Sequence, residues 1–292
     1  MISFVRRVAT GCVLGAALTT LAACGSAPVP QRTERQPPAL PSAAPSRPPT
    51  LAPGPAGLTP VFRNGPRTPD KAVALTFDAD MTAGQGDRAA RGERFDNPRL
   101  IASLRTLKVP ATVFMTGRWA EEYPSQARSI GRDPLFEVAN HSYSHYAFTE
   151  DCYGLPTIAG SASGSAAGER MRADVERAFT AFRAAGVPRA MPYFRFPGGC
   201  YDRRALRALS TAGVTAVQWD VVSGDAFATD ADAVAREVLD GVRPGSVVVM
   251  HCTRSAAPAT ERALRAIVPA LRGRGFRFVK VSELIGATGG RR

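Results

Sequence analysis

Short apolar runs alternate with amphipathic stretches through most of this 292-residue chain, and this alternation constrains the fold more than any other feature. Such alternation is typical of β-α units arranged around a largely parallel sheet. The predicted strands are 72–77, 111–115, 136–139, 193–196, 215–219, 247–250 and 277–279. Because residues 61–286 are enough for one well-buried domain, the pattern predicts a single catalytic domain of α/β class, with the size of an α/β barrel.

The clearest helical period lies in residues 169–185, where Met171, Val175 and Phe182 fall on one face. Gly186 follows and predicts the helix end, because glycine readily adopts the backbone conformation that closes a helix. Residues 146–168 show neither the helical period nor the alternation of a strand, and they are rich in glycine, serine and alanine. They predict a loop beside the functional site.

The side chains best suited to chemistry follow the predicted strands. In parallel α/β folds, ligands bind at the carboxyl ends of the strands. The residues at these ends are Asp78, Asp80, His141, His145, Arg195, Asp220, Asp225 and His251. We therefore expect them to converge on one site.

Histidine is the most informative of these residue types, because the chain has only three. Imidazole is the commonest protein ligand of zinc, and it also transfers protons near neutral pH. His141 and His145 are four residues apart, a spacing that presents two rings to one metal on a helical turn. Asp78 or Asp80 offers a carboxylate ligand, although such carboxylates also cap helices. A metal site and a structural cluster are both open at this point.

Five motifs, in order along the chain, resemble those of the NodB-type polysaccharide deacetylases, carbohydrate esterase family four. The motifs are Thr76-Phe77-Asp78-Ala79-Asp80, His141-Ser142-Tyr143-Ser144-His145, Arg195-Phe196-Pro197-Gly198-Gly199, Trp219-Asp220 through Asp225, and Val249-Met250-His251. The resemblance covers most of residues 71–285 and implies a distorted (β/α)7-8 barrel. It also implies metal-dependent removal of N-acetyl groups from a polysaccharide, which is hydrolysis of a carbon–nitrogen bond other than a peptide bond.

The resemblance implies a role for each residue that handles metal or protons. His141 and His145 hold the metal, and Asp78 is the general base that takes a proton from water. Arg195 orients Asp78 and keeps it ionised. His251 protonates the departing amine.

The remaining site residues have supporting roles. Asp225 favours the protonated form of His251, and a backbone N–H near Gly198 stabilises the oxyanion. For Arg195 and Asp225, a structural salt bridge is the alternative. Tyr201 is expected to contact substrate. The aromatic side chains that could stack on sugars are Trp119, Tyr143, Tyr146, Tyr201 and Phe227, although a tryptophan at a helix start, as at position 119, is more often a core residue.

One position departs from the family motif Thr-Phe-Asp-Asp-Gly. The second aspartate of that motif is the third metal ligand, and this chain has Ala79 there. Asp80 is the expected substitute, because residues two apart on a strand face the same way. Water in the vacant position, recruitment of His251, and a degenerate binding protein are the alternatives.

Zinc suits two histidines and one aspartate, with cobalt, nickel or manganese as alternatives. The preferred substrate is the N-acetylhexosamine of peptidoglycan, ahead of chitin-like polymers, an acetylated capsule and xylan esters. Three other functions are open: a catalytically impaired carbohydrate-binding lipoprotein, an O-acetyl esterase, and a metal-dependent amidase or peptidase. We expect a monomer.

The amino-terminal 23 residues predict an export signal, with Arg6 and Arg7 before an apolar run too short for a membrane span. The run ends in Leu-Ala-Ala-Cys, which resembles a bacterial lipobox with Cys24 as the lipidated residue; a chance cysteine is the alternative. Residues 24–60 predict a proline-rich disordered tether and 287–292 a flexible tail. The protein is therefore expected to be exported and lipid-anchored to the outer face of the cell membrane, facing the cell wall.

The formal charge is +12, and loss of two arginines with the signal leaves about +10. A basic exported protein is attracted to anionic envelope polymers or lipid headgroups. The chain has no long basic run and no nucleic-acid-binding motif, so nucleic acid is not an expected partner.

Three cysteines remain in the predicted domain, and an odd number allows at most one intramolecular pair. Cys152 and Cys200 are the expected pair, with Cys252 left over. Their bridge is expected to clamp the loops around the site.

Overall fold

A computed structural model of the protein describes residues 47–160 and 162–289. The predicted signal, Cys24, the first part of the tether and the last three residues of the tail lie outside the described residues. Among the described helices, none combines the length and the apolar character needed to cross a bilayer.

The described residues form one sheet of nine strands, all paired in parallel. The strands are β1 (Val61–Phe62), β2 (Ala72–Ala79), β3 (Ala111–Met115), β4 (Phe136–Asn140), β5 (Ala190–Phe194), β6 (Thr215–Val217), β7 (Val221–Val222), β8 (Ser246–His251) and β9 (Arg277–Phe278). Their order is β1-β6-β5-β4-β3-β2-β8-β7, with β9 paired to β2. Because β1 and β7 occupy opposite edges, the sheet is an open, curled half-barrel, which confirms the predicted distorted barrel.

Helices connect the strands, as the alternating pattern predicts. They are α1 (Ala83–Ala90), α2 (Pro98–Thr106), α3 (Gly117–Glu122), α4 (Pro124–Arg132), α5 (Gly164–Ala184), α6 (Arg203–Ala208), α7 (Ala231–Gly241), α8 (Thr260–Gly273) and α9 (Val281–Gly289). Several begin at side chains that accept a backbone N–H: Thr116 caps α3 and Asp202 caps α6. The helix predicted at 169–185 begins earlier, at Gly164, and shortens the predicted loop.

Strand β2 lies inside the sheet, paired with β3, β8 and β9, and is buried on both faces. Val73, Leu75, Phe77 and Ala79 pack in the large apolar cluster with the surrounding helices. The alternate residues face the inside of the half-barrel, where Ala74 packs against other strands. Asp78 and Asp80 follow this inner set, because side chains alternate along a strand.

The folded unit begins at Arg47, before the predicted boundary at residue 61. The Tyr193 hydroxyl donates to the Pro49 carbonyl at 2.8 Å, and the Thr59 hydroxyl donates to the Leu206 carbonyl at 2.8 Å. Residues 47–60 therefore pack on the domain, although their composition placed them in the tether. At the other end, α9 extends to Gly289, into the predicted tail.

Candidate functional site

Strands β2, β4, β5 and β8 bring the predicted residues together at their carboxyl ends. Asp78 lies directly opposite His251 in the pairing of β2 with β8. His141 follows β4, and Arg195 follows β5, the neighbouring strand. Asp220 is separate: its carboxylate binds Arg67, Ser246 and the Val247 backbone at the other end of β8.

Asp78 is held between a guanidinium and an imidazole. Arg195 Nη1 donates to Asp78 Oδ1 at 2.6 Å, and Asp78 Oδ2 lies 3.6 Å from His141 Nε2. The Arg195 side chain is fully buried and its Nε donates to the Val217 carbonyl. Burial lowers the pKa of Arg195, and the Asp78 charge opposes that shift. The buried ion pair therefore fixes the orientation of the Asp78 carboxylate.

His141 is fixed through its other ring nitrogen. Its Nδ1 lies 2.9 Å from the Arg195 carbonyl oxygen, which can only accept a hydrogen bond, so Nδ1 carries the hydrogen. The lone pair is then on Nε2, the nitrogen directed towards Asp78. A second partner that sets the tautomer in this way is typical of metal-binding histidines.

His145 lies 4.9 Å from His141, measured between ring centroids. The pair does not occupy a helical turn, which corrects the prediction from its spacing: Ser142 and His145 have φ values of 70° and 58° in a tight turn. The Ser142 hydroxyl accepts the His145 N–H at 2.9 Å and stabilises that turn. Burial lowers the pKa of His145 to about 4, with only partial opposition from Asp80, so the ring is neutral at pH 7.

Asp80 supplies the carboxylate nearest to His145. Its Oδ2 lies 3.6 Å from His145 Nε2, and its Oδ1 accepts a hydrogen bond from the Thr253 hydroxyl. Burial acts to raise the pKa of Asp80, but His145, His251 and Thr253 outweigh it and lower that pKa. Ala79 is fully buried in the helix-facing core. The neighbouring position, not Ala79, therefore presents a charged oxygen to the site.

His251 forms an ion pair with Asp225 through Nδ1 and Oδ1, 2.7 Å apart. Asp225 Oδ2 also accepts the His251 N–H and the Thr260 hydroxyl, each at 2.7 Å, and Ser223 donates to Oδ1. Burial acts to lower the pKa of His251, but the hydrogen bond and charge of Asp225 raise it to about 9. At neutral pH His251 is therefore protonated.

The predicted bridge between Cys152 and Cys200 is present, and Cys252 is free and buried. The bridge joins the loop after His145 to the loop that contains Gly198. Gly198 has a φ of 62°, and a Cβ there would lie 2.6 Å from the Cys152 sulfur. Only glycine fits this combination. Tyr201 stacks on Phe196 beside this loop, with a centroid distance of 5.3 Å.

The predicted aromatic platforms are only partly accessible. Trp119 is fully buried and its indole N–H donates to the Phe95 carbonyl; Tyr143 is 3% exposed. Neither stacks on a ligand in this position, so that expectation is wrong for both. Phe227 is 84% exposed. Tyr153, which the sequence did not single out, is 87% exposed.

Several supporting side chains were missed by sequence reasoning. Thr253 and Thr260 orient Asp80 and Asp225, as described above. The Asp174 carboxylate accepts the backbone N–H of Tyr143 at 2.6 Å, from within α5, and so holds the turn between the two histidines. Threonines and a helical aspartate have no sequence signature for such roles, because their partners are distant along the chain.

The residues present fit a divalent cation chemically. Across residues 47–160 and 162–289, no three His, Cys, Asp or Glu side chains stand in the arrangement of a formed metal centre; the donors form two pairs, Asp78 with His141 and Asp80 with His145. The 3.6 Å between Asp80 Oδ2 and His145 Nε2 is near the separation of about 3.4 Å for two ligands of one tetrahedral zinc ion. His141 presents an imidazole lone pair beside them.

Comparison with known proteins gives concordant matches. The family profile described as polysaccharide deacetylase matches residues 65–217. A chitooligosaccharide deacetylase of Sinorhizobium fredii is 32% identical over 193 residues, which cover 61% of this chain and 80% of that protein. A peptidoglycan-N-acetylglucosamine deacetylase of Bacillus cereus is 28% identical over 191 residues, which cover 64% of this chain and 62% of that protein.

Solved structures share the fold. A family-four carbohydrate esterase from Streptomyces lividans, in complex with acetate, aligns with a TM-score of 0.56 and 27% identity, over 72% of this chain and 92% of that one. A family-four pseudoenzyme from Bacillus anthracis aligns with a TM-score of 0.61 and 23% identity, over 81% of this chain and 70% of that one.

Proposed function

Because the chain belongs to the polysaccharide deacetylase family, hydrolases of carbon–nitrogen bonds other than peptide bonds, we propose that it removes N-acetyl groups from an N-acetylhexosamine polymer of the cell envelope. Peptidoglycan is our first choice and a chitin-like polymer the second. The similar deacetylases of peptidoglycan and of chitooligosaccharides support both choices.

The observation that carries this proposal is a base and an acid on directly paired residues of neighbouring strands. Asp78 accepts a hydrogen bond from a buried arginine, which orients its carboxyl group. His251, opposite it in the register, is bonded to Asp225 and is protonated at neutral pH. Hydrolysis of an amide requires both groups, since water must lose a proton and the departing nitrogen must gain one.

Each residue then has one task in the proposed reaction. Asp78 takes a proton from the attacking water, and Arg195 keeps its carboxylate oriented. A backbone N–H near Gly198 donates to the oxyanion that forms on the acetamide carbonyl. His251 gives its proton to the nitrogen as the carbon–nitrogen bond breaks, so the products are acetate and a free amine.

His141, His145 and Asp80 would hold a divalent cation, with zinc as the first choice and cobalt, nickel or manganese as alternatives. When bound, the cation polarises the acetamide carbonyl and acidifies water. Asp80→Ala tests the substitute ligand directly. We expect about a tenfold or greater loss of zinc affinity, measured by competition titration, and unchanged affinity and stoichiometry in this variant would refute the ligand role.

The place of action is also a proposal. The lipobox-like sequence at Cys24 supports an exported protein on a membrane lipid anchor, beyond which the cell wall is within reach. Mass spectrometry of the amino-terminal peptide tests it: a diacylglyceryl group on Cys24 is expected, and an unmodified cysteine would contradict the anchor.

The activity is tested by acetate release from peptidoglycan, chitin oligomers and acetylated xylan, with protein reconstituted in each metal. We expect release from at least one N-acetylated polymer, loss on chelation and loss in His141→Ala. Release from xylan alone would instead identify an O-acetyl esterase.

A second candidate function is supported by Ala79, which places a methyl group where the family motif has an aspartate. The protein would then be a carbohydrate-binding lipoprotein with impaired catalysis, as a pseudoenzyme of the same fold shows that this scaffold can lose activity. Polymer binding without acetate release in any metal would favour this function.

A further inference from the structure

A concave surface of about 780 Å³ lies between the first half of α5 and helix α6. Its charged lining is one glutamate, Glu169, and four arginines: Arg172, Arg203, Arg204 and Arg207. We refer to this surface as the arginine groove. None of its residues belongs to the site described above.

The charge of the arginine groove is only partly neutralised: Arg172 Nε lies 3.5 Å from Glu176, and Glu169 is in the lining. Arg204 lies 3.7 Å from Glu150, a side chain 94% exposed, and one of its terminal nitrogens, Nη2, is buried without a hydrogen-bond partner. Within the described ranges of the chain, Arg203 and Arg207 have no carboxylate within 4.0 Å, and both are exposed. The groove therefore carries excess positive charge that solvent and ligands can reach.

Fold stability does not account for this arrangement. Arg203 and Arg207 are four residues apart on α6, so they are neighbours on its surface. Like charges at this spacing destabilise a helix. An anion bound between them would relieve this repulsion.

The start of α5 adds a second source of positive potential. This helix has 21 residues and begins at Gly164, in the lining of the groove. Its N-cap, Ser163, makes no side-chain capping bond, and the first turn contains no acidic residue. The free N–H groups and positive dipole end of a long helix attract anions, and phosphate in particular.

The donor set favours phosphate among anions. Arginine presents a planar fork of N–H groups that matches two oxygens of a phosphate, and four such forks line the groove. The hydroxyls of Ser165, Ser210 and Thr211 lie in the same lining and offer further donors. A volume of about 780 Å³ exceeds the need of one ion and suits several units of a chain.

The arginine groove is built on the two helices that follow the site strands β4 and β5 in the chain. Helices α5 and α6 follow β4 and β5, so they begin at the edge of the sheet where the site lies. A second concave surface of about 430 Å³ shares Arg204 with the groove and includes Asp202, the residue after Tyr201.

From these observations we propose that the arginine groove binds a polymer whose units are joined by phosphodiesters, and so holds the protein on an anionic envelope chain while the catalytic site acts on adjacent N-acetylated sugars. The envelope setting rests on the proposed function, whereas the binding of a phosphodiester chain rests on the groove alone.

The test uses the full-length protein and a fluorescent poly(glycerol phosphate) chain, with affinity measured by anisotropy at several salt concentrations. In Arg203→Gln/Arg207→Gln we expect at least tenfold weaker binding. The slope of log affinity against log salt should become shallower by about one to two. Each phosphate contact that the variant lacks no longer releases counterions when the polymer binds. Both side chains are exposed, and circular dichroism verifies that the fold is retained.

The matched control is Arg132→Gln/Arg183→Gln, which removes the same charge from the last turns of α4 and α5, outside the lining of the groove. The affinity of this control for the polymer should change by less than twofold. If both variants bind the polymer equally weakly, the loss is explained by net charge and the proposal is overturned. Equal affinity of the unmutated protein for polygalacturonate, or for vesicles of anionic lipid, would also overturn it. Acetate release from a chitin oligomer should be the same in the groove variant as in the unmutated protein, so failure of this proposal is distinct from failure of the proposed reaction.

Discussion

Two partly buried histidines at the same end of the sheet are held in opposite charge states. Burial lowers the pKa of His145 to about 4, whereas the pKa of His251 is raised to about 9. The nearest carboxylate, Asp80, is 3.6 Å from His145 Nε2, and His145 Nδ1 is buried without a hydrogen-bond partner in the described part of the chain. His251 Nδ1 is 2.7 Å from Asp225. Burial alone neutralises an imidazole, and burial against a bonded carboxylate charges it.

The difference matches the roles that we propose, a metal ligand for His145 and a proton donor for His251. A cation needs the neutral ring that burial gives His145, whereas a leaving amine needs the protonated ring that Asp225 gives His251. The sequence contains the same residue type at both positions, so the role of each histidine is set by its neighbours.

The test with the largest expected effect replaces each of the two histidines separately. His145→Ala should lose bound zinc and with it nearly all acetate release. His251→Ala should keep the metal, while kcat falls by about 10²–10⁴-fold, as for loss of a general acid. Metal analysis measures the zinc content of each variant, and steady-state kinetics with one substrate measures its kcat. Loss of zinc in His251→Ala would show instead that this histidine is a ligand.

Asp225→Asn should produce the next largest effect by removing the charge that sustains the His251 imidazolium. The pKa of His251 then falls from about 9 towards or below the ordinary 6.5, so the basic limb of the kcat profile moves to lower pH. At pH 8 we expect a loss of about ten- to a hundredfold. An unmoved limb in the pH–rate profile would contradict the assignment of this limb to His251.

The same ion pair makes stability depend on pH, and the sign follows from the raised pKa. His251 binds its proton more tightly when folded, so its contribution to stability is complete below pH 6.5 and is lost as the pH rises through about 9. Thermal unfolding between pH 6 and 10 should therefore show a decline that is weaker in Asp225→Asn.

Thr253→Val should have the smallest effect and should act on the Asp80 side alone. The variant loses the hydroxyl that orients Asp80, and we expect zinc affinity to fall by about tenfold, the lower end of the range for partners of metal ligands. Thr253→Ser should restore the affinity. The pH profile of kcat, which reports His251, should not move; a shift of its basic limb would mean that Thr253 acts on both histidines.

Much of the fold was predictable, because its signals are local. All seven predicted strands are present, since a buried parallel strand is a short apolar run that ends at polar residues. Strands β1 and β7 have two residues each and show no period to detect. The packing of residues 47–60 on the domain was missed, because their contacts are with Tyr193 and Leu206, far along the chain.

The sequence by itself determined which side chains stand at the carboxyl ends of the strands, because side-chain alternation and parallel pairing put those ends at one edge. It also determined that position 79 offers no ligand and that Asp80 shares the face of Asp78. Only the tertiary structure decided that His145 is neutral and His251 charged, and that Asp80 is oriented by a threonine 173 residues away. The physical reason is that electrostatic energies depend on distance in space and on burial, and the folded sheet sets both.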